Sequence, residues 1–273
     1  MTDHSNGYLP KVFELLERVE TEQYANLQAA ARLMADAIQK DQLIHVYGGG
    51  GHTTLPVGEM FFRAGGLCNI DPCMETGLSV FNQAQKYLAL ERCENYGRAI
   101  MSYYDIQPGE VLLLYHNIGT NAATKVLSEG AVAVMGSICS GATKAALPIY
   151  NDAKIVSISP SATTPELTQK GLPADYPLRH SSGKNLNELA DVCIDDYNPL
   201  GDTVVELPGF GTPIAPISNI VDFYIAHRLE IECAKECLAR GVQPPFWHSA
   251  NVPGGDEANR EYLKKYSPRI KML

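Results

Sequence analysis

Apolar residues recur at helical spacing from the start of the chain. Val12, Leu15, Leu16 and Val19 form one stripe, and Tyr24, Leu27, Ala31, Met34, Ala35 and Ile38 form a second. A repeat near 3.6 residues places one face of a helix against a core. Glu14, Glu17, Arg18, Glu20 and Glu22 fall mostly on the other side. The spacing predicts a helical N-terminal extension over 1–40, serving packing and available as a dimer surface. After Asp41 the pattern changes to short apolar runs. Leu43, Ile44, Val46 and Tyr47 read as a strand that runs into Gly48-Gly49-Gly50-Gly51, with a helix expected from Pro56 to Ala64.

The same unit recurs. Val111–Tyr115, Ala131–Met135 and Ile155–Ile158 read as strands, each followed by a polar loop, and Val192–Ile194 and Val204–Leu207 as shorter ones. Buried strands alternating with helices predict an α/β fold. The expected form is a three-layer α/β/α sandwich on a mainly parallel, flavodoxin-like sheet. Ala131–Met135 and Ile155–Ile158 are expected as central strands of one continuous sheet. A long helix is predicted from Ile217 to about Arg240, stopped by Gly241 and Pro244-Pro245. The tail from Trp247 to Leu273 reads as a solvated extension carrying Asn251, Gly254, Gly255, Asp256 and Glu257.

Composition narrows the function classes. The 273 residues carry 31 acidic and 22 basic side chains, a net charge of −9. An acidic chain is a poor general partner for phosphate backbones, so no nucleic-acid role is expected. No apolar run approaches the ~20 residues needed to span a bilayer, and the polar N-terminus lacks a signal-peptide layout, so no membrane role is expected either. The seven cysteines are scattered without a CxxC pair. That pattern predicts reduced, mostly buried thiols in a cytoplasmic protein, and neither a disulfide framework nor a zinc finger.

The sharpest local signal is Gly48-Gly49-Gly50-Gly51-His52-Thr53-Thr54. Glycines allow a tight turn and close backbone approach to a ligand, and the next helix offers unpaired N–H groups at its positive end. Threonine hydroxyls add neutral donors. Together these describe an anion site, most simply for a phosphate. The loop has no lysine of the GxxxxGK[ST] kind and does not match GxGxxG with a well-placed acid, so neither a P-loop nor a dinucleotide cofactor is indicated. No cofactor and no metal site is expected, since the histidines and cysteines show no spacing such as HExxH.

Glu59 lies one or two helical turns beyond the glycines, facing solvent or the ligand. His180 sits in a polar loop before Ser181-Ser182-Gly183. Either could act as a general base, and each has a surface or structural role as its alternative. His45, inside an apolar strand, reads as a satisfied core residue, and His227 as structural. His116 follows a strand and could reach the site. Trp247 reads as packing and His248 as surface.

IHVYGGGGHTTLPVGEMFFRAGGL resembles the first phosphosugar loop of a SIS (sugar isomerase) domain. LLLYHNIGTNAAT, PLRHSSGKNLNELADVCID and SANVPGGDEANR agree with a group of bacterial SIS-domain proteins. The resemblance implies one SIS-type domain, with the N-terminal extension at 1–40 and the C-terminal helix plus tail at 217–273. It implies a phosphosugar ligand held by two loops: Gly50, Gly51, His52, Thr53 and Thr54, and Asn117, Gly119, Thr120, Asn121 and Thr124. Ile118 stands where a serine is common, leaving the hydroxyls to Thr120 and Thr124. Aldose–ketose sugar-phosphate isomerisation is the implied activity, with Glu59 the leading base and His180, from the same or a neighbouring subunit, the second. A homodimer or larger homo-oligomer is implied. The segment at about 125–171 is similar instead to leucine/isoleucine/valine-type periplasmic binding proteins. That predicts an engineered chimera, with a fragment of such a protein grafted into a SIS host. A non-catalytic phosphosugar-binding module and an inactive designed scaffold are the alternatives.

Overall fold

The computed structural model describes residues 4–48, 51–90, 93, 96–115, 156–159, 191–199 and 201–273. The expected strand at Ala131–Met135, the second candidate loop and His180 lie outside the described residues. Two N-terminal helices form as the spacing predicts, α1 at Tyr8–Glu22 and α2 at Tyr24–Gln39. They break at Gln23, whose side chain donates to the Tyr197 hydroxyl. The α2 face is built largely of small residues, Ala30, Ala31, Ala35 and Ala37, beside Leu27 and Met34, all buried. Small side chains let a partner helix approach closely. That partner is α6, at Ser218–Ala239, with Val221, Ile225, Ala226, Leu229, Cys233 and Cys237 buried. The labels in between are α3 at Thr54–Met60, α4 at Ala84–Leu90 and α5 at Tyr96–Met101.

The first sheet is parallel, in the order β2-β1-β3, with β1 at Ile44–Gly48, β2 at Ile70–Pro72 and β3 at Val111–Tyr115. Ile44 pairs with Ile70 and Val111, so β1 is central and buried throughout. Because strand side chains alternate, Val46, Leu113 and Tyr115 share one face. The Tyr115 hydroxyl reaches Met60 Sδ at 3.5 Å, which identifies this as the face covered by α3 and α6. His45 and Tyr47 point the other way, with Asp71 and Cys73. This confirms the mainly parallel α/β fold.

A single continuous ladder is not found among the described strands. β4, at Val156–Ser159, pairs in parallel with β5, at Val192–Asp195, as a separate two-stranded sheet, and β4 lies beside β3 without a ladder to it. An antiparallel pair, β6 at Thr203–Val205 and β7 at Ile214–Pro216, precedes α6. It places Asp202 at the α6 N-terminus, where its carboxylate accepts from the Ile217 and Ser218 N–H groups at 3.1 and 2.8 Å. This cap comes from outside the helix and satisfies donors that no intrahelical carbonyl can reach.

Two expectations are corrected. The helix after the glycine loop ends at Met60, not Ala64: Phe61 turns extended and Phe62 is left-handed, at φ 48°. The reason is tertiary. Phe62 packs edge-on to Trp247, with ring centroids 4.9 Å apart, and the Gly65-Gly66 turn exchanges backbone hydrogen bonds with Trp247. The tail is likewise not a solvated extension. It forms α7 at Gly255–Tyr266 and closes a second small core of Leu43, Cys68, Trp247, Tyr266 and Ile270. Asp256 and Glu257 in its first turn and Lys264 and Lys265 in its last complement the helix dipole. Cys68, Cys73, Cys233 and Cys237 are buried and free, Cys93 is exposed and Cys193 is intermediate. Among the described residues, no helix is long and apolar enough to cross a membrane.

α6 packs along α2 with Leu229 fully buried, so Leu229→Ala is expected to cost about 2–5 kcal/mol of stability through the cavity it leaves. Urea unfolding measures this. A change below the low end would mean that α6 is not held by that contact.

Candidate functional site

At the C-terminal end of β1 the chain reverses sharply. A Cβ on Gly48 would lie 2.1 Å from the Thr53 carbonyl oxygen, so this position accepts only glycine. Gly51 has φ 59°, and Gly51–Thr53 makes a single 3-10 turn leading into α3. Thr54 Oγ1 donates to the Gly51 carbonyl at 2.9 Å, which pins the turn. Of the predicted ligand groups in this loop, His52 is exposed, whereas Gly51, Thr53 and Thr54 are buried. The Thr54 hydroxyl is therefore oriented within the loop. Gly50, Asn117, Gly119, Thr120, Asn121 and Thr124 lie outside the described residues, as do His116 and His180.

Glu59 projects from α3 into a chain of charged groups that no local sequence signal announces. Its Oε1 accepts from Arg63 Nε at 2.7 Å, just beyond the end of α3, and lies 3.1 Å from His227 Nε2 on α6. The other imidazole nitrogen, Nδ1, lies 3.1 Å from Glu230 Oε2. Glu230 is buried, and its Oε1 accepts from the Leu67 N–H at 3.1 Å. The imidazole thus sits between two carboxylates while remaining 43% exposed. Its pKa is raised, first by the hydrogen bond to Glu230 and then, against the opposing effect of burial, by that to Glu59. The unit can hold a proton on the imidazole, in contact with the Glu59 carboxylate. His227 reads as structural from the sequence, and its i,i+3 spacing from Glu230 is the local part of this arrangement, whereas its contact with Glu59 has no local signal.

A second polar group lies where β5 ends and α6 begins. Asp196 and Asp222 are completely buried, and among the described residues neither Asp222 carboxylate oxygen has a hydrogen-bond partner. Both acids are held well above the ordinary carboxyl range, mainly by burial. Asp222 adds to this at Asp196, and Asp202 adds to it at Asp222. The third polar group is on the opposite sheet face. His45 Nδ1 lies 2.8 Å from Asp71 Oδ2 and its Nε2 lies 2.9 Å from Glu110 Oε2. His45 is the satisfied core residue that its position in an apolar strand implies. Despite full burial these carboxylates hold its pKa well above the usual value. With Cys73 beside it, this is the one described cluster whose donor atoms lie close enough to share a metal ion.

Comparison with known proteins now identifies the chain's relatives. Residues 7–133 match the SIS domain, a span that begins at α1 and includes the glycine turn and all of β3. A UPF0309 protein of Thermoanaerobacter pseudethanolicus is 30% identical over 270 residues, covering 97% of this chain and 98% of that one. The chain belongs to the UPF0309 family. UPF0309 proteins of Geobacillus kaustophilus and Caldanaerobacter subterraneus subsp. tengcongensis are 28% and 29% identical, over 268 and 270 residues. These alignments run nearly the full length of both partners and cross residues 125–171. The expected graft from a periplasmic binding protein therefore finds no support among the UPF0309 relatives. What is shown is a UPF0309 protein whose residues 7–133 match the SIS domain.

Two pH effects follow. For His227 the folded pKa lies above the unfolded value of about 6.5, so its contribution to stability is complete below that value and is lost as pH rises through the folded pKa. An NMR titration of the imidazole should place the midpoint above 6.5, and Glu230→Gln should lower it. For Asp222 the sign is opposite to that of a salt-bridged acid. The folded state holds the proton more tightly, so wild-type stability falls as pH rises above the ordinary carboxyl pKa of about 3.9. Asp222→Asn should change Tm little near about pH 3 and raise it progressively at higher pH, with a clear rise near about pH 8. A lowered Tm at the higher pH would mean that the carboxylate has a stabilising partner.

Proposed function

We propose that this UPF0309 protein binds a phosphorylated sugar over residues 50–54 and interconverts its aldose and ketose forms. The observation that carries the reading is the match of residues 7–133 to the SIS domain, with the glycine turn at the C-terminal end of the central parallel strand. Ligands of parallel α/β sheets bind at that edge, where strand-end loops converge. The anionic group sits on the turn, with the loop at 117–124 closing over the same ligand. The whole chain is read as one SIS-type unit. A homodimer or larger assembly is part of the same reading, supported by Leu9 and Phe13, which are exposed at 52% and 62% on α1.

Isomerisation moves a proton between neighbouring carbons. A carboxylate removes it from the carbon next to the carbonyl while the carbonyl oxygen takes a proton, giving an enediol; the first proton then returns to the former carbonyl carbon as the neighbouring hydroxyl gives its own proton back to the donor, so atoms and electrons balance. Glu59 is the base in this proposal. His227, held as a cation by Glu230, is the donor to the carbonyl oxygen. His180 is the alternative base. A second reading, a sensor that binds without turnover, is favoured by one observation: Glu59 is engaged by both Arg63 and His227.

Incubation with a panel of sugar phosphates in deuterated water separates the two readings. Substrate-dependent exchange at the carbon next to the carbonyl supports the isomerase. Thermal stabilisation without exchange supports the sensor. On a substrate that turns over, Glu59→Gln should retain binding and lose about 10²–10⁴-fold in rate. Full turnover by that variant would transfer the role to His180.

A further inference from the structure

The group around His45 lies apart from the glycine turn and plays no part in the proposed isomerisation. Its residues come from two adjacent strands of the parallel sheet. His45 on β1 is in register with Asp71 on β2, and Cys73 follows two positions later, at the level of the β1 residue Tyr47. All three side chains share the face opposite α3 and α6, and each residue is at most 5% exposed. One donor atom from each lies within 4.8 Å of the other two. The cysteine is free.

Two features of the group are unexplained by hydrogen bonding alone. Among the described residues, Asp71 Oδ1 is buried without a hydrogen-bond partner, and so is the hydroxyl of Tyr47, the β1 residue level with Cys73. The arrangement beyond the three donors is also specific. His45 Nε2 faces Glu110 Oε2 at 2.9 Å, and Glu110 is itself fixed by the Gln107 N–H at 2.9 Å. An imidazole that binds a metal through one nitrogen characteristically donates its other N–H to a carboxylate, which fixes the tautomer and strengthens the ligand.

We propose that His45, Asp71 and Cys73 bind a divalent zinc-like ion, with Glu110 orienting the imidazole from behind. The ligand set of one imidazole, one carboxylate and one thiolate suits a borderline-soft ion with tetrahedral preference. Nδ1 faces Asp71 at 2.8 Å. In a tetrahedral site, nitrogen and oxygen ligands about 2.0 Å from the metal stand roughly 3.3 Å apart. Entry of the ion therefore requires only a small side-chain movement. Binding replaces two protons, one on His45 Nδ1 and one on the Cys73 thiol, while the Nε2 proton stays on the hydrogen bond to Glu110. No electrons move. The site's burial assigns it a structural role: it ties β2 to the central strand, and so steadies the sheet edge from which the glycine turn springs.

The test uses the full chain, purified from zinc-supplemented growth and dialysed without strong chelator. Elemental analysis should find about one zinc per chain. Cobalt(II) added to metal-free protein should give a thiolate-to-cobalt charge-transfer band and release about two protons per ion. Cys73→Ser should abolish that band, Cys93→Ser should keep it, and Glu110→Gln should weaken zinc binding about 10–100-fold. If Cys73→Ser does not fold, the wild-type metal content and proton release decide the matter. Zinc below about a tenth of an equivalent together with no charge-transfer band overturns the proposal. So does a band that survives intact in Cys73→Ser, because the ion then sits on another thiol.

Discussion

At Gly48 the returning backbone of Thr53 leaves no room for a side chain, and the geometry of the upper edge of the sheet follows from that contact. The close approach reverses the chain within a few residues. The Gly51 carbonyl then meets the Thr54 hydroxyl, and α3 starts at once and runs back down the sheet. That direction brings Glu59 against His227 on α6. A looser turn would start α3 later and rotate Glu59 away from the imidazole. One glycine contact thus sets both the ligand loop and the position of the candidate base.

Polar groups are buried on both faces of the sheet, and they are solved in different ways. Between α3 and α6, Glu59, His227 and Glu230 are linked in sequence, and the chain ends on a backbone N–H. On the other face His45 is held between Asp71 and Glu110. At the α6 N-terminus Asp202 is fully used as a cap, whereas Asp222, one turn further in, has no hydrogen-bond partner among the described residues. An uncompensated buried carboxylate is costly, so Asp222 is the point at which the fold is most sensitive to charge.

How much of this was legible depended on the range of the interaction. The apolar stripes of α1, α2 and α6 and the all-apolar run of β3 are local patterns; α6 and β3 form within a residue of the expected bounds, whereas the helical extension expected over 1–40 starts only at Tyr8 and breaks at Gln23. The glycine turn was equally legible because its cause, lack of space for a Cβ, is local. The end of α3 was not, because Trp247 draws Phe62 out of the helix from almost the other end of the chain. The partnership of Glu59 with His227 spans 168 residues and is created by helix packing alone. His45 read correctly as a core residue. The carboxylates that surround it come from β2 and from the residue before β3, which no periodicity connects.

The central claim is that the anionic group of a sugar phosphate rests on the turn after β1. Backbone amide shifts followed during titration with a sugar phosphate, and separately with its unphosphorylated sugar, address it most directly. The account predicts that the amides of Gly51, His52, Thr53 and Thr54 move with the phosphorylated ligand and not with the free sugar. Shifts of equal size with both ligands, or shifts confined to residues away from the turn, would contradict it.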